Sequence, residues 1–231
     1  MTLSGDTTNS PLALERLILE IKSEVRQTAS YTGRERLKPE VYEAMMQVNR
    51  EDFVRDADRG LAWGNYPLSI GQGQTISQPY IVALMTDMLE VDSDSVVLEV
   101  GAGSGYQAAV LSRMVKQVIS IEIIPQLAQQ AQQCLHNLGY NNVTVKCGNG
   151  RLGWPQLAPY DAIIVTAASE DIPPELVRQL KPGGRLVIPL GGQWLTQQLM
   201  EISKDEEGNT TEKRVLPVSF VPLTGTDTSP W

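Results

Sequence analysis

Histidine is nearly absent from this chain, and its scarcity excludes several kinds of active site. The 231 residues include a single histidine, His136, in the segment QQCLHNLGY. A Ser-His-Asp triad or a histidine-rich zinc site would have to be built on this one side chain. Because the segment is typical of the end of a helix, we expect His136 to be a solvated residue near a helix C-terminus. We therefore expect chemistry without an imidazole and without a metal.

Cysteine is scarce as well. The two cysteines, Cys134 and Cys147, fall in a predicted helix and a predicted strand, each with apolar neighbours. Buried free thiols are the simplest interpretation of this placement, and the pattern indicates no disulfide framework.

Positive charge and long apolar runs are the other deficits. With 19 Lys and Arg against 27 Asp and Glu, the formal net charge is −8, which disfavours nucleic acid as a partner. No apolar run approaches the roughly 18 residues that a membrane span requires. The first residues, MTLSGDTTNS, lack the basic start and apolar stretch of a secretory signal, so we expect a cytoplasmic protein with no membrane partner.

The remaining composition, with 42% hydrophobic residues, is that of a globular domain, and the length suits one substantial core. We predict a disordered tail over 1–10 and a single domain over 11–231. Within the domain, 11–78 is predicted to be a helical region that ends in a polar loop. Residues 79–191 are predicted to form an α/β core, and 192–231 to form C-terminal strands.

From residue 79 the apolar pattern alternates between strands and helices. The predicted strands are 96–100, 118–123, 143–148, 161–167 and 185–191, and the predicted helices are 79–90, 106–115, 125–139 and 173–180. This alternation indicates a mostly parallel sheet covered on both faces. The expected fold class is therefore α/β, a doubly wound Rossmann-like sheet preceded by helices near 11–29 and 39–48. Two further strands, 195–205 and 213–223, are expected to be antiparallel.

The strand at 96–100 leads into the glycine-rich turn EVGAGSGYQ, in which Gly101, Gly103 and Gly105 open the next helix. Such a turn lets a ligand approach the backbone at the carboxyl end of a parallel strand. A dinucleotide fingerprint would have its last glycine where Tyr106 stands, so the pattern favours a nucleoside ligand without a pyrophosphate. Glu122, near the end of the next strand, is placed to accept hydrogen bonds from both hydroxyls of a ribose. The alternative is a tight structural turn beside a solvated glutamate.

The segment GQGQTISQPY, residues 71–80, is polar but contains no charged residue and no histidine. Its hydroxyl groups belong to Thr75 and Ser77. The pattern predicts a loop that supplies hydrogen bonds without a net charge. The alternative role for Ser77 is to cap the helix that begins near Pro79.

Four segments together resemble one enzyme family: LSIGQGQTISQPYIVALMTDML, VLEVGAGSGYQAAVLS, GNGRLGWPQLAPYDAIIVTAA and LKPGGRLVIPLG. They are similar to class I S-adenosylmethionine-dependent methyltransferases and, more closely, to the protein-L-isoaspartate O-methyltransferase family. The resemblance runs from about residue 12 to 225. The wider superfamily shares the glycine turn, whereas the 71–80 segment is specific to this family.

The resemblance implies S-adenosylmethionine as the cofactor. The cofactor-binding residues that we predict are Glu99, Gly101, Gly103, Gly105, Glu122, Asn149, Gly150 and Thr166. In the family, a glycine-aspartate-glycine loop after the third strand contacts the adenine, whereas this chain has Gly148-Asn149-Gly150. The change replaces a charged acceptor by a neutral one, so we expect weaker cofactor binding.

The pair Asn149-Gly150 is also prone to deamidation, because glycine leaves the following amide nitrogen free to attack the side chain. Our hypothesis is that Asn149 slowly converts to aspartate or isoaspartate. The alternative is a rigid and protected turn.

The resemblance also implies methyl transfer to the α-carboxylate of L-isoaspartyl residues in damaged proteins, with Ser77 as the active-site hydroxyl and Thr75 beside it. This acceptor is ionised near neutral pH, so it needs no general base. Thr166-Ala167-Ala168 stands where amino-group methyltransferases have an Asn/Asp-Pro-Pro-aromatic signature, which disfavours an amine acceptor. We expect a monomer. The alternatives are a same-fold carboxyl methyltransferase dedicated to one peptide and a cofactor-binding module without turnover.

Overall fold

Residues 10–192 and 196–227 are described by the structure, a computed structural model. The helices are α1 (Ser10–Gln27), α2 (Ala29–Thr32), α3 (Pro39–Met46), α4 (Pro79–Met88), α5 (Tyr106–Ser112), α6 (Pro125–Asn137) and α7 (Pro174–Gln179). The strands are β1 (Leu68–Gly71), β2 (Gln74–Ile76), β3 (Val96–Val100), β4 (Gln117–Glu122), β5 (Val143–Cys147), β6 (Tyr160–Val165), β7 (Leu180–Leu190), β8 (Gln197–Lys204) and β9 (Thr210–Val218). The disorder predicted for 1–10 concerns residues outside the described ranges, except that α1 begins at Ser10.

Within the described residues, seven strands form one sheet in the order β5-β4-β3-β6-β7-β8-β9. Strands β3 to β7 pair in parallel, and β8 and β9 are antiparallel to their neighbours. The predicted fold class is confirmed. The chain moves outward from β3 to β5 and then returns to the other side of β3 at β6. The crevice that such a reversal leaves at the carboxyl ends of the strands is where open α/β sheets bind their ligands.

Strand β3 shows why the apolar runs of the sequence form this sheet. Val97 packs into the core on one face of the sheet, whereas Leu98 and Val100 pack into the core on the other. All three side chains are at most 1% exposed. Each such residue stabilises the fold by roughly 1.5–3 kcal/mol relative to an exposed position. Burial on both faces explains a continuous apolar run instead of an alternating one.

The N-terminal helices pack against the same core. Leu17, Ile21 and Val25 of α1 are buried in one cluster with Met85 of α4 and Leu216 of β9. This cluster draws side chains from all three predicted segments. No helix within the described residues is long and apolar enough to span a membrane.

The plain loop predicted for 71–80 is wrong, because β1 and β2 form a hairpin over residues 68–76. Ser69 pairs with Thr75, and the turn is made by Gln72 and Gly73, whose φ angles are 52° and 70°. Tight hairpins favour two central residues with positive φ, but their usual signal is Asn-Gly or Asp-Gly, and here it is Gln-Gly. Strands of 4 and 3 residues are also too short to show an alternating pattern.

Boundaries elsewhere differ by a few residues, with two larger exceptions. Strand β7 begins at Leu180, where the sequence predicted a turn before a strand at 185, and β9 ends at Val218 instead of 223. Both cysteines are free, as predicted, but each is half-buried, so the expectation of full burial is wrong. His136 is exposed in the last turn of α6, as expected.

Candidate active site

The glycine turn after β3 has a shape that other residues do not adopt readily. Gly101 and Gly103 have φ angles of 99° and 53°, in the region that favours glycine. A Cβ atom at Gly101 would overlap Oγ1 of Thr166, and one at Gly103 would lie 3.3 Å from Cδ1 of Ile70 in the hairpin. The turn therefore lies directly between β6 and the hairpin, with its backbone exposed to the space between them.

Glu122 ends β4 beside this turn, and its carboxylate shapes the turn. One oxygen accepts a hydrogen bond from the N–H of Gly103 and the other from the N–H of Ile124, both at 2.9 Å. Each carboxylate oxygen can accept about two hydrogen bonds, so both retain capacity toward a ligand. The side chain is 6% exposed and lines the cavity at the carboxyl ends of the strands. This geometry suits the pair of ribose hydroxyls that the sequence suggested.

Glu99 is placed differently from the other predicted cofactor-binding residues. Its side chain is fully buried within β3 and does not line the cavity. Burial raises the pKa of Glu99 to about 8, although a hydrogen bond from the hydroxyl of Ser120 opposes the shift. The carboxyl group is therefore neutral near pH 7. A direct contact between Glu99 and a cofactor would need a rearrangement of β3.

Asn149 also lies behind the cavity wall. Its amide nitrogen donates to the carbonyl of Thr226 at 2.6 Å, and its amide oxygen accepts from the N–H of Arg151 at 3.0 Å. Gly150 does line the cavity, and a Cβ there would overlap Cγ1 of Val100. The structure thus brings Gly150 into the site but directs the amide of Asn149 toward the C-terminal segment. Its side chain is 4% exposed and restrained at both ends, which favours the protected turn over deamidation.

Gly105 has a structural role. It has a φ angle of 90° at the start of α5, and it does not line the cavity. A Cβ at this position would lie 3.0 Å from Cδ1 of Leu135, so the glycine allows α5 to pack closely against α6.

Two cavities meet at Thr75 and Thr166. The first is lined by the cofactor-side residues Gly101, Gly103, Glu122 and Gly150, and by the segment 221–224. The second has a volume of about 490 Å³ and is lined by residues of α1, the hairpin, α4 and the segment after β9. They include Glu24, Ser77 and Tyr80. Thr75 and Thr166 line both cavities, whereas Ser77 lines the second one and a smaller pocket that it shares with Gly101 and Gly103.

The hydroxyl of Ser77 is not used to cap α4. The residue at the N-cap is Gln78, which makes no side-chain capping bond. The N–H of Tyr80 instead donates to Oδ1 of Asn65, at 2.9 Å. Within residues 10–192 and 196–227 the hydroxyl of Ser77 makes no hydrogen bond, and it faces the larger cavity. It is therefore available to a ligand.

Comparison with known proteins identifies the family of this chain. A model of the protein-L-isoaspartate(D-aspartate) O-methyltransferase family matches residues 26–228. The chain belongs to this family.

Relatives and solved structures of the family are similar over most of the chain. Protein-L-isoaspartate O-methyltransferase 2 of Syntrophobacter fumaroxidans is 54% identical over 92% of this chain and 86% of its own length. The protein of the same name from a Polaromonas species is 53% identical over 89% of this chain and 98% of its own. One solved protein-L-isoaspartate O-methyltransferase has a TM-score of 0.80 at 27% identity, covering 92% of this chain and 66% of that chain. A second, from Plasmodium falciparum in complex with S-adenosyl-L-homocysteine, has a TM-score of 0.75 at 25% identity, covering 93% of this chain and 98% of its own.

Enzymes of this family use S-adenosylmethionine, and the site fits such a ligand. Gly101 and Gly150 line the cavity with main-chain atoms, and each packs too closely on a neighbour, Thr166 or Val100, to carry a Cβ. Glu122 retains hydrogen-bonding capacity toward ribose hydroxyls. Thr166 fixes the turn, since its hydroxyl donates to the carbonyl of Gly101 at 2.7 Å.

Two residues that sequence reasoning missed hold the substrate side of this isoaspartate methyltransferase. Arg50 is fully buried and donates to the carbonyls of Ser77 at 2.9 Å and Tyr66 at 3.2 Å. Because Tyr66 precedes β1 and Ser77 follows β2, one guanidinium group joins both ends of the hairpin. Glu24 accepts from the side chain of Gln78 at 3.1 Å and from that of Asn65 at 2.7 Å. Single charged residues in polar stretches look like surface residues, so no pattern in the sequence identifies them.

Proposed function

We propose that the junction of the two cavities transfers a methyl group from S-adenosylmethionine to the α-carboxylate of an L-isoaspartyl residue in a damaged protein. The observation that carries the proposal is the position of Thr75 and Ser77. Both residues line the 490 Å³ cavity, and both also line a smaller pocket together with Gly101 and Gly103 of the glycine turn. The cofactor belongs on the side of the glycine turn and the substrate segment in the larger cavity.

The reaction needs orientation more than acid–base chemistry. When bound, S-adenosylmethionine would supply an electrophilic methyl group: a carboxylate oxygen would gain the O–C bond as the S–C bond breaks and S-adenosylhomocysteine leaves. The acceptor has a pKa of about 4, so it is ionised without help from a base. Donation from Ser77 and Thr75 aligns the carboxylate without forming a tight ion pair that would blunt its nucleophilicity. Such alignment can lower the barrier by roughly 7–11 kcal/mol.

On the cofactor side, Glu122 holds the ribose hydroxyls and the backbone at Gly101 and Gly103 contacts the nucleoside. Thr166 holds the turn in place from β6. Asn149 contacts the adenine only if the segment 225–227 moves, because its amide is bonded to Thr226. Glu99 is a positioning residue, because its buried carboxyl group accepts a hydrogen bond from Ser120 and so joins β3 to β4 below the cofactor.

The substrate is a flexible, extended segment, because an isoaspartyl α-carboxylate exists only where the main chain runs through the side chain. The larger cavity, with a volume of about 490 Å³, has room for part of such a segment. A monomeric state and a cytoplasmic location complete the proposal. Light scattering of the purified protein and fractionation of the source cells test these two points.

Radiolabel transfer from S-adenosylmethionine to an isoaspartyl hexapeptide tests the function. The wild-type protein should label this peptide and leave its aspartyl twin unlabelled, and base treatment should release the label as methanol. Labelling of neither peptide would favour a cofactor-binding module, and labelling of one particular sequence alone would favour a dedicated enzyme.

The Ser77→Ala variant tests the assigned hydroxyl. We expect the methylation rate to fall about tenfold or more, while the affinity for S-adenosylhomocysteine stays nearly unchanged, because only an orienting hydrogen bond is lost. Ser69→Ala is the matched control, since Ser69 is exposed on the paired strand of the same hairpin. Equal rates for wild type and Ser77→Ala would remove Ser77 from the site.

A further inference from the structure

The larger cavity carries one formal charge. Among its lining residues in the described part of the chain, Glu24 is the one acidic or basic side chain, and the others are neutral polar or apolar. A cavity that accepts a carboxylate is expected to avoid a second anion, because like charges at short range repel. The position of Glu24 therefore calls for a functional explanation.

The carboxylate of Glu24 is fixed but not neutralised. Nδ2 of Asn65 donates to one of its oxygens at 2.7 Å, and Nε2 of Gln78 lies 3.1 Å from each oxygen. Both donors are uncharged amides. No lysine or arginine in residues 10–192 and 196–227 forms a salt bridge with Glu24. A preorganised carboxylate without a cation presents its charge to whatever enters the cavity.

The carboxylate of Glu24 is bonded to the residue that follows Ser77 in the sequence. Gln78, which holds Glu24, directly follows Ser77, and both residues line the cavity with Tyr80. Each oxygen of Glu24 also has capacity for a further donor, because a carboxylate accepts about four hydrogen bonds in all. A positively charged side chain close to the isoaspartyl residue would reach Glu24 while the α-carboxylate occupies the hydroxyls of the hairpin.

We infer that Glu24 is a specificity residue that selects isoaspartyl segments with a lysine or arginine beside the damaged residue and rejects those with an acidic neighbour. The inference rests on the proposed function, since it concerns the substrate of the same site. The cationic side chain supplies the partner that Glu24 lacks, and an acidic side chain adds a second like charge to the cavity.

Three peptides of one design test this inference. They share an isoaspartyl residue and differ only in a Lys, Gln or Glu beside it, placed before the isoaspartyl residue in one set and after it in another. At low ionic strength we expect kcat/KM of the wild type to fall from Lys to Gln to Glu in at least one set, by about tenfold overall, as for a partly buried ion pair. The difference should lie mainly in KM, because the contact is made before and during the reaction alike.

The Glu24→Gln variant removes the negative charge of the side chain and keeps its size, so it tests whether the peptide preference depends on the charge. We expect it to lose most of the difference in kcat/KM between the Lys and Glu peptides, whatever its rate with the Gln peptide. Glu15→Gln is the matched control, because it removes the same charge from an exposed position of α1. It should keep the wild-type ratio.

Failure of the inference is distinct from failure of the function. If the wild type methylates no isoaspartyl peptide, the proposed function falls. If it methylates all three peptides of both sets at one rate, or if Glu24→Gln keeps the full ratio, the role of Glu24 is overturned. Should Glu24→Gln fail to fold, the wild type alone decides, since about 0.5 M salt should compress the ratio if it is electrostatic. A ratio unchanged by salt would contradict the inference.

Discussion

The cofactor side and the substrate side of this active site are built in different ways. On the cofactor side, the main chain makes the site, with the glycine turn after β3 and a carboxylate at the end of β4 that bonds to it. On the substrate side, a short hairpin is held by charged side chains from distant parts of the chain, Arg50 and Glu24. The first design depends on a backbone shape that few residues permit. The second depends on ordinary residues whose burial only the fold reveals.

The largest effect should follow from changing the backbone of the cofactor side. Gly101→Ala places a Cβ against Oγ1 of Thr166 at a φ angle of 99°, so we expect affinity for S-adenosylhomocysteine to fall about thirtyfold or more. Isothermal titration calorimetry measures the affinity of each variant for S-adenosylhomocysteine. Gly60→Ala is the control, because a Cβ there meets nothing within 4 Å. Unchanged affinity in Gly101→Ala would show that the turn does not set the cofactor site.

A smaller effect, confined to the substrate side, should follow from changing Arg50. Arg50→Met leaves the carbonyls of Ser77 and Tyr66 without their donors, each at a cost of about 1–3 kcal/mol where buried. We expect kcat/KM for the isoaspartyl peptide to fall about tenfold, with cofactor affinity nearly unchanged. Arg50→Lys keeps the positive charge but loses the two separate N–H donors of the guanidinium group, so its kcat/KM should lie between those of wild type and Arg50→Met. Full activity in Arg50→Met would mean that the hairpin is held by other contacts.

The buried carboxyl group of Glu99 should make the stability of the protein depend on pH, with no effect on the substrate side of the site. Its pKa rises from 4.5 to about 8 on folding, chiefly through burial. The native state therefore keeps a proton that the unfolded chain releases, and this contribution is complete below pH 4.5 and is lost as the pH rises toward 8. Thermal melts should show a smaller fall in Tm over this range for Glu99→Gln than for wild type. If Tm fell equally with pH in the two proteins, the protonation of Glu99 would not contribute to the pH dependence of stability.

The smallest effect is expected at Asn149. The side-chain amide of Asn149 is restrained by its bond to Thr226, which should slow the attack by the nitrogen of Gly150. We therefore expect a protected turn and little conversion to isoaspartate. Peptide mapping after prolonged incubation should find Asn149 intact in the folded protein and converted in the same protein unfolded in denaturant. Equal conversion in both samples would restore the hypothesis.

The difference between the two sides also explains what could be predicted from the sequence. The order of strands and helices, the glycine turn and Glu122 were predictable from local sequence. The spacing of apolar residues indicates the type of each element, and a backbone conformation with positive φ requires glycine. Gly101, Gly103, Glu122, Gly150 and Thr166 all line the cavity.

The hairpin, the alternative capping residue and the two charged supports were not predictable. Asn65 replaces Ser77 at the start of α4 from another segment of the chain. Arg50 and Glu24 act on residues far along the chain, so their roles depend on tertiary packing and not on a local motif. Glu99 and Asn149 were predicted to bind the cofactor, yet their side chains point away from the cavity into bonds with Ser120 and Thr226.

The central claim is that uncharged hydroxyls orient an acceptor that is ionised from the start, so that the site needs no base. The most direct test is the rate of methyl transfer in a single turnover, with cofactor and isoaspartyl peptide saturating, followed from about pH 5.5 to 7.5, well above the acceptor's pKa. The account predicts a flat profile in wild type and a lower but equally flat one in Ser77→Ala. A rate that falls tenfold for each pH unit below neutrality would reveal a catalytic base and contradict the claim.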